Sequence, residues 1–175
     1  MLLLTPTAQF QLRFCPELAK KPKGHDDNIK NGKKIDPFDN PPQDLFVADV
    51  PAKDSSHLIV LNKYPIIAEH FILATKLNKQ QTRKLEEDDL QIAYQCLKEW
   101  QGQTEDGQPK RLYAFFNSGE HSGASQPHRH LQFLPVEDMQ GGEAGRGWEL
   151  LADSVWAGTD LDEGWSVAYG YVFAS

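Results

Sequence analysis

Residues 112–134 read LYAFFNSGEHSGASQPHRHLQFL, and the fold turns on how this run divides. Leu112 to Phe116 and His130 to Leu134 are rich in aromatic and aliphatic side chains, whereas Asn117 to Pro127 is mostly glycine, serine and other turn formers. Such a texture predicts two strands joined by a loop. Residues two apart in a strand share a face, so His128, His130 and Gln132 line up on one side while Leu131 and Phe133 point to the packed side. Arg129 shares the packed face at the strand's start, where its head is expected to reach solvent.

Upstream, Thr82 to Trp100 places Leu85, Ile92, Ala93, Cys96, Leu97 and Trp100 near helical spacing, with Glu86, Glu87, Asp88, Gln95 and Lys98 elsewhere. This predicts an amphipathic helix whose acidic residues come early, where the helix dipole favours them. Before it stand three β-rich runs bounded by turn residues: Leu45 to Val50, His57 to Leu61 and His70 to Ala74. Three strands, a helix and two strands, without βαβ alternation, predict an α+β fold with a mostly antiparallel sheet and one packed helix. Residues 45–138 form the expected core. Residues 1–44 carry many breakers, among them Pro16, Pro22, Gly24, Pro37, Pro41 and Pro42, and several lysines, so an extended, locally basic segment is expected. Residues 139–175 form a tail whose one helical hint is Trp148 to Ala152.

With 175 residues, 39% of them hydrophobic, the chain can bury a single core. Its formal charge of −7 argues against a surface built to grip a nucleic-acid polymer or an anionic membrane. No stretch nears the roughly 18 uninterrupted apolar residues of a spanning helix, and Met1 to Leu4 is cut short by Thr5-Pro6-Thr7, so no membrane association is expected. Two cysteines, Cys15 and Cys96, without CxxC spacing suit a reducing compartment, and the expected location is the cytoplasm.

The loop Phe116 to Pro127 can bring backbone N–H groups to an anion, since its glycines permit close approach and its Asn, Ser and Gln side chains add donors. Ordinary turn loops share that composition. Two histidines on one strand face have three explanations: a solvated polar face, a metal site completed by Glu137 or by His57, His70 or His121, or a nucleophilic imidazole attacking phosphorus. In the last case Gln132 can hydrogen-bond the phosphate without adding negative charge. His57 and His70, each opening an apolar strand, read as structural.

Three segments carry a resemblance: Phe116-Asn117-Ser118-Gly119, Ser122-Gly123-Ala124-Ser125-Gln126 and His128-Arg129-His130-Leu131-Gln132. Together they resemble the active-site stretch of the fungal ATP adenylyltransferases, or diadenosine tetraphosphate phosphorylases, of the histidine-triad superfamily. His57 to Pro65 and Glu69 to Thr75 resemble a strand pair of that family, and Phe14 to Pro22 its lysine-bearing leading segment. The resemblance implies a nucleotidyltransferase that phosphorolyses diadenosine tetraphosphate to ATP and ADP. It makes His130 the nucleophile that carries AMP, with His128 orienting it, and it makes Gln132, where the hydrolytic branch has histidine, the mark of transfer to inorganic phosphate. It implies further that Asn117, Ser118, Gly119, Ser122, Gly123, Ala124, Ser125, Gln126 and Gln132 bind phosphates, and that Lys21, Asn62 and Lys63 contribute to nucleotide binding. No covalent cofactor and no dedicated metal site are implied, only Mg2+ as a companion of the polyphosphate; the oligomeric state is left open. Family members are longer and the likeness ends near residue 156, so a shortened chain that keeps the nucleophile is expected. The alternatives are a non-catalytic nucleotide-binding remnant and a cupin-like metal protein using His128, His130 and Glu137.

Overall fold

The computed structural model describes residues 13, 15–16, 29–30, 33–100, 102, 104, 107–119, 121–140, 149–150 and 152–153. Lys21 and most of the leading segment lie outside the described residues, as do the tail beyond residue 153 and part of the helical hint at 148–152. A two-residue ladder pairs β1 (Ile29–Lys30) with β2 (Lys33–Lys34). The main sheet contains β3 (Phe46–Val50), β4 (His57–Leu61), β5 (Phe71–Thr75), β6 (Leu112–Phe115) and β7 (His130–Pro135) in the spatial order β3-β4-β5-β7-β6, with every pairing antiparallel. The five expected strands and the α+β class are thus present, with ends shifted by a residue.

The order places β7, last in sequence, between β5 and β6. An interior strand buried on both faces favours an apolar sequence, and β7 obeys at Leu131 and Phe133 but not at His130 and Gln132. Cross-strand pairing sets Ala74 beside His130, Ile72 beside Gln132 and Phe115 beside Gln132. Small Ala74 leaves room for the imidazole; pairing with β5 reaches His130, whereas pairing with β6 stops at Gln132.

One helix, α1 (Glu87–Glu99), covers one face. Its core combines Ile92 and Ala93 with Phe71, Leu73, Leu131 and Phe133, and the Phe71 and Phe133 rings stack at 4.7 Å. Each large apolar side chain so buried stabilises the fold by about 1.5–3 kcal/mol. The helix starts five residues later than its periodicity suggests, because Glu86 is its N-cap: Glu86 N–H donates to Asp89 Oδ2 at 2.7 Å, satisfying a backbone donor that the first turn cannot. A second short helix, α2 (Val136–Gln140), follows β7 directly and buries Val136 and Met139.

The opposite face has its own cluster, Phe38 with Leu58, Val60 and Ala74. Phe38 falls within the segment expected to be extended, yet it is only 4% exposed and closes the core over the histidine face. Among the described residues no helix is long and apolar enough to cross a membrane.

Candidate active site

His130 opens β7 with 3% of its surface exposed. Its Nδ1–H donates to the backbone carbonyl of His128 at 2.8 Å, which fixes the tautomer and leaves Nε2 with the free lone pair. Burial holds its pKa below the ordinary 6.5, and the charge of His128 acts the same way, outweighing the hydrogen bond to the His128 carbonyl and the charge of Asp36. A neutral ring at neutral pH is what a nucleophilic imidazole requires.

Gln81, buried in the turn before α1, clamps this residue. Its Oε1 accepts from His130 N–H at 2.7 Å, and its Nε2 donates to His130 O at 3.1 Å and to Asn117 O at 2.8 Å. One amide therefore ties the His130 backbone to the start of the Asn117 to Pro127 loop. Sequence reasoning missed Gln81, because its only local signal is a polar residue in a polar turn.

His128 lies just before β7 and forms an isolated bridge with Gln80, outside the strands. Its Nε2 faces the Thr75 carbonyl at 2.6 Å and Thr75 Oγ1 at 3.1 Å, and its Nδ1 faces Asp36 Oδ2 at 2.7 Å. A carbonyl and a carboxylate only accept, so the ring that satisfies both sides is the doubly protonated imidazolium. Phe38 packs edge-on to His128 at 5.3 Å and tilted over His130 at 5.2 Å. Asp36 and Phe38 also escaped the sequence reading, since the breakers around them hide a return to the core.

Gln132 is half-buried and its Oε1 meets His70 Nε2 at 3.1 Å, while His70 Nδ1 meets Asn62 Nδ2 at 3.0 Å. Burial lowers the His70 pKa against the raising effect of Gln132, so the ring is neutral near pH 7. His70, read from sequence as structural, thus links two expected site residues, Asn62 and Gln132. Lys63 is exposed, with Nζ 5.6 Å from the Tyr64 ring centre. In the β6–β7 loop Gly119 and Gly123 take φ values of 101° and 77°, open to glycine and strained for other residues. Ser122 closes a turn there, its N–H and Oγ both donating to Gly119 O. Ser118, Gly123 and Ser125 are exposed, and Ala124 and Gln126 are half-buried, along the same loop.

On the other face Arg129 corrects its expected exposure. It is 1% exposed, and Nη1 donates to Asp89 Oδ2 at 2.8 Å and pairs with Glu86 at 2.9 Å. Asp89 also accepts from His57 Nε2 at 2.9 Å. Burial pushes the Asp89 carboxyl up, but its hydrogen bonds from His57 and the Glu86 backbone, with the charge of Arg129, hold it lower overall. His57 is structural, as expected.

Glu137 does not approach the histidines: it accepts from Arg111 N–H at 3.0 Å, beyond the far end of β7. The His128, His130 and Glu137 metal set is therefore not assembled. Asp36, Asp39 and His128 do place ligand atoms within 4.8 Å of one another, but Asp36 already holds His128 Nδ1. Mg2+ favours octahedral oxygen ligands, so a set with one engaged imidazole and two carboxylates fits it poorly. A cavity of about 790 Å³ lies between α1 and β3–β5, lined by Ile59, Leu61, Phe71 and Trp100 among others; no β7 residue lines it.

Residues 3–144 match the family model described as the Ap4A phosphorylase N-terminal domain. The chain belongs to that family. It is 37% identical over 141 residues to diadenosine 5',5'''-P1,P4-tetraphosphate phosphorylase 2 of Saccharomyces cerevisiae, covering 76% of this chain and 43% of that protein. It is 34% identical over 127 residues to Protein APA1 of the same yeast, covering 70% of this chain and 35% of the relative. The crystal structure of yeast Ap4A phosphorylase Apa2 in complex with Ap4A matches with a TM-score of 0.59 at 33% identity, over 74% of this chain and 42% of that one. The complex of Apa2 with AMP matches with a TM-score of 0.58 at 34% identity, over 73% and 40%. This chain therefore spans less than half the length of these relatives, and both the family and the fold agree with the sequence expectation.

Proposed function

We propose that this chain catalyses adenylyl transfer in the phosphorolysis of diadenosine tetraphosphate. His130 Nε2 attacks the phosphorus of one terminal AMP unit; the P–O bond to the remaining three phosphates breaks and ATP leaves. Inorganic phosphate then attacks the adenylyl-His130 phosphorus, the P–N bond breaks, and ADP leaves with the imidazole restored. The observation that carries this reading is the fixed tautomer of a buried, neutral His130, whose Nδ1 is committed to the His128 carbonyl so that Nε2 alone is nucleophilic. Support also comes from yeast relatives named as phosphorylases and from the Apa2 complexes with Ap4A and AMP.

On this reading the imidazolium of His128 offsets charge near the phosphates. Gln132, Asn117 and the Ser118 to Gln126 loop hold phosphate oxygens, while Asn62, Lys63 and Lys21 serve the nucleotide. No cofactor takes part, and Mg2+ enters only with the polyphosphate. Cys15 and Cys96 are free thiols, in keeping with work in the reducing cytoplasm. Incubation with diadenosine tetraphosphate labelled in its α-phosphates should leave acid-labile label on the wild-type chain and none on His130→Ala. Nucleotide binding by calorimetry with no label on wild type would favour the binding remnant instead.

A further inference from the structure

The side-chain amide of Gln132 can face a ligand with its oxygen or with its NH2, and the consequences are opposite. An NH2 donates to a phosphate oxygen, whereas an amide oxygen repels it. Three neighbours settle the choice. Tyr64 N–H, a backbone group that can only donate, reaches Asn62 Oδ1 at 2.9 Å. That fixes Asn62 with Nδ2 toward His70, whose Nδ1 at 3.0 Å must then accept. An imidazole accepting at Nδ1 carries its proton on Nε2, and this Nε2–H meets Gln132 Oε1 at 3.1 Å. With Oε1 engaged, NH2 is the group left to face a ligand on the His130 side of β7.

We infer that His70 is a positioning residue for the phosphate acceptor: backed by Asn62 and the Tyr64 amide, it holds Gln132 with its NH2 directed at the anion that discharges adenylyl-His130. This rests on the adenylyl-transfer reading above. The chain of donors runs one way, from a backbone N–H that cannot flip to an amide that otherwise could. Its natural consequence is selectivity in the second step. A phosphate needs the donor, whereas a neutral water attacking the same phosphorus does not, so loss of His70 penalises phosphate and spares water.

The test charges the 175-residue chain with labelled diadenosine tetraphosphate, removes free nucleotide and follows discharge with and without inorganic phosphate. His70→Phe, which keeps the ring and removes both nitrogens, should slow discharge to phosphate about tenfold while leaving loss of label to water unchanged. His70→Gln, whose amide nitrogen reaches the place of Nε2, should recover the rate to within about threefold of wild type. Equal phosphate discharge in His70→Phe and wild type, or equal slowing toward phosphate and water, overturns the assignment. A wild-type chain that takes no label overturns the adenylyl-transfer reading instead. The orientation is then decided by 15N NMR of the imidazoles, with an Nε2–H His70 whose Nε2 resonance moves in Gln132→Met as the expected result. An Nδ1–H His70, or an Nε2 resonance unmoved in that variant, overturns it.

Discussion

Two histidine–aspartate pairs flank the sheet, one on each face, and they do different work with the same side chains. On the helix face His57 Nε2 meets Asp89 at 2.9 Å, and Asp89 also takes the Arg129 guanidinium at 2.8 Å and the Glu86 backbone. Since Arg129 brings the positive charge, a neutral His57 satisfies both sides by donating to Asp89 and accepting from Ser56 Oγ at 2.9 Å. On the other face Asp36 meets His128 at 2.7 Å, and its further partners, Asn78 Nδ2 and Phe38 N–H, are neutral. The cation there has to be His128 itself. A third charge decides which pair becomes a clamp between α1 and the sheet and which places an imidazolium two residues from His130.

The sharpest separation of the two faces is between chemistry and stability. His130→Ala should abolish label incorporation, a loss on the order of 10⁴-fold or more, because nothing replaces the attacking nitrogen. Urea denaturation should show a far smaller change. Asp89→Asn should do the reverse, destabilising the fold by about 3–4 kcal/mol in the same assay, since it leaves the buried Arg129 with only the exposed Glu86 as a counter-charge. The pH dependence of stability should mark the same residue. The Asp89 pKa lies below its ordinary 3.8, so its contribution is present above that pH and fades as pH falls through the folded value. In Asp89→Asn this acid limb should flatten. Asp36→Asn, with a partly exposed carboxylate and neutral co-donors, should cost only about 1–2 kcal/mol while slowing adenylyl transfer. Equal losses of stability in the two aspartate variants would erase the distinction between the pairs.

Periodicity exposed the strands and α1 because each is a local pattern: alternation in β7, and a stripe of apolar residues in the helix. The resemblance singled out His130 and implied that His128 orients it; the accepting group, the His128 carbonyl, is visible only in the structure. What sequence could not show is contact made across distance. Gln81 lies 49 positions from His130, Asp36 lies 92 from His128, and His70 lies 62 from Gln132. Nothing near any of the three residues signals its partner. Arg129 was misjudged for a related reason: its exposure was read from its place at the strand end, but the acidic first turn of α1 packs over that end and supplies Asp89 and Glu86. The same acidic residues that the dipole argument explains within the helix thus also anchor the start of β7 through Arg129.

Gln81 tests whether the nucleophile's backbone needs more than the ladder to hold it. Gln81→Leu keeps the bulk, removes three hydrogen bonds and leaves His130 N–H and O without these partners inside the protein. Adenylyl transfer should fall about 10- to 100-fold, with about 2 kcal/mol of stability lost. Unchanged label incorporation would show that the sheet alone sets the geometry.

The smallest expected effect concerns the charge behind the nucleophile. Attack needs neutral His130, whose pKa is lowered first by burial and further by the charge of His128, so the acid limb of adenylyl transfer should lie below pH 6.5. Replacing His128 by Asn removes the cation but keeps the backbone carbonyl that fixes the His130 tautomer. Without the cation the proton binds His130 more readily, so the limb should move up toward 6.5, yet stay below it because burial, the larger cause, persists. Rates of label incorporation between pH 5 and pH 8 in both proteins decide this. A limb that stays put would mean that His128 does not carry the positive charge, and that the two histidine–aspartate pairs are alike after all.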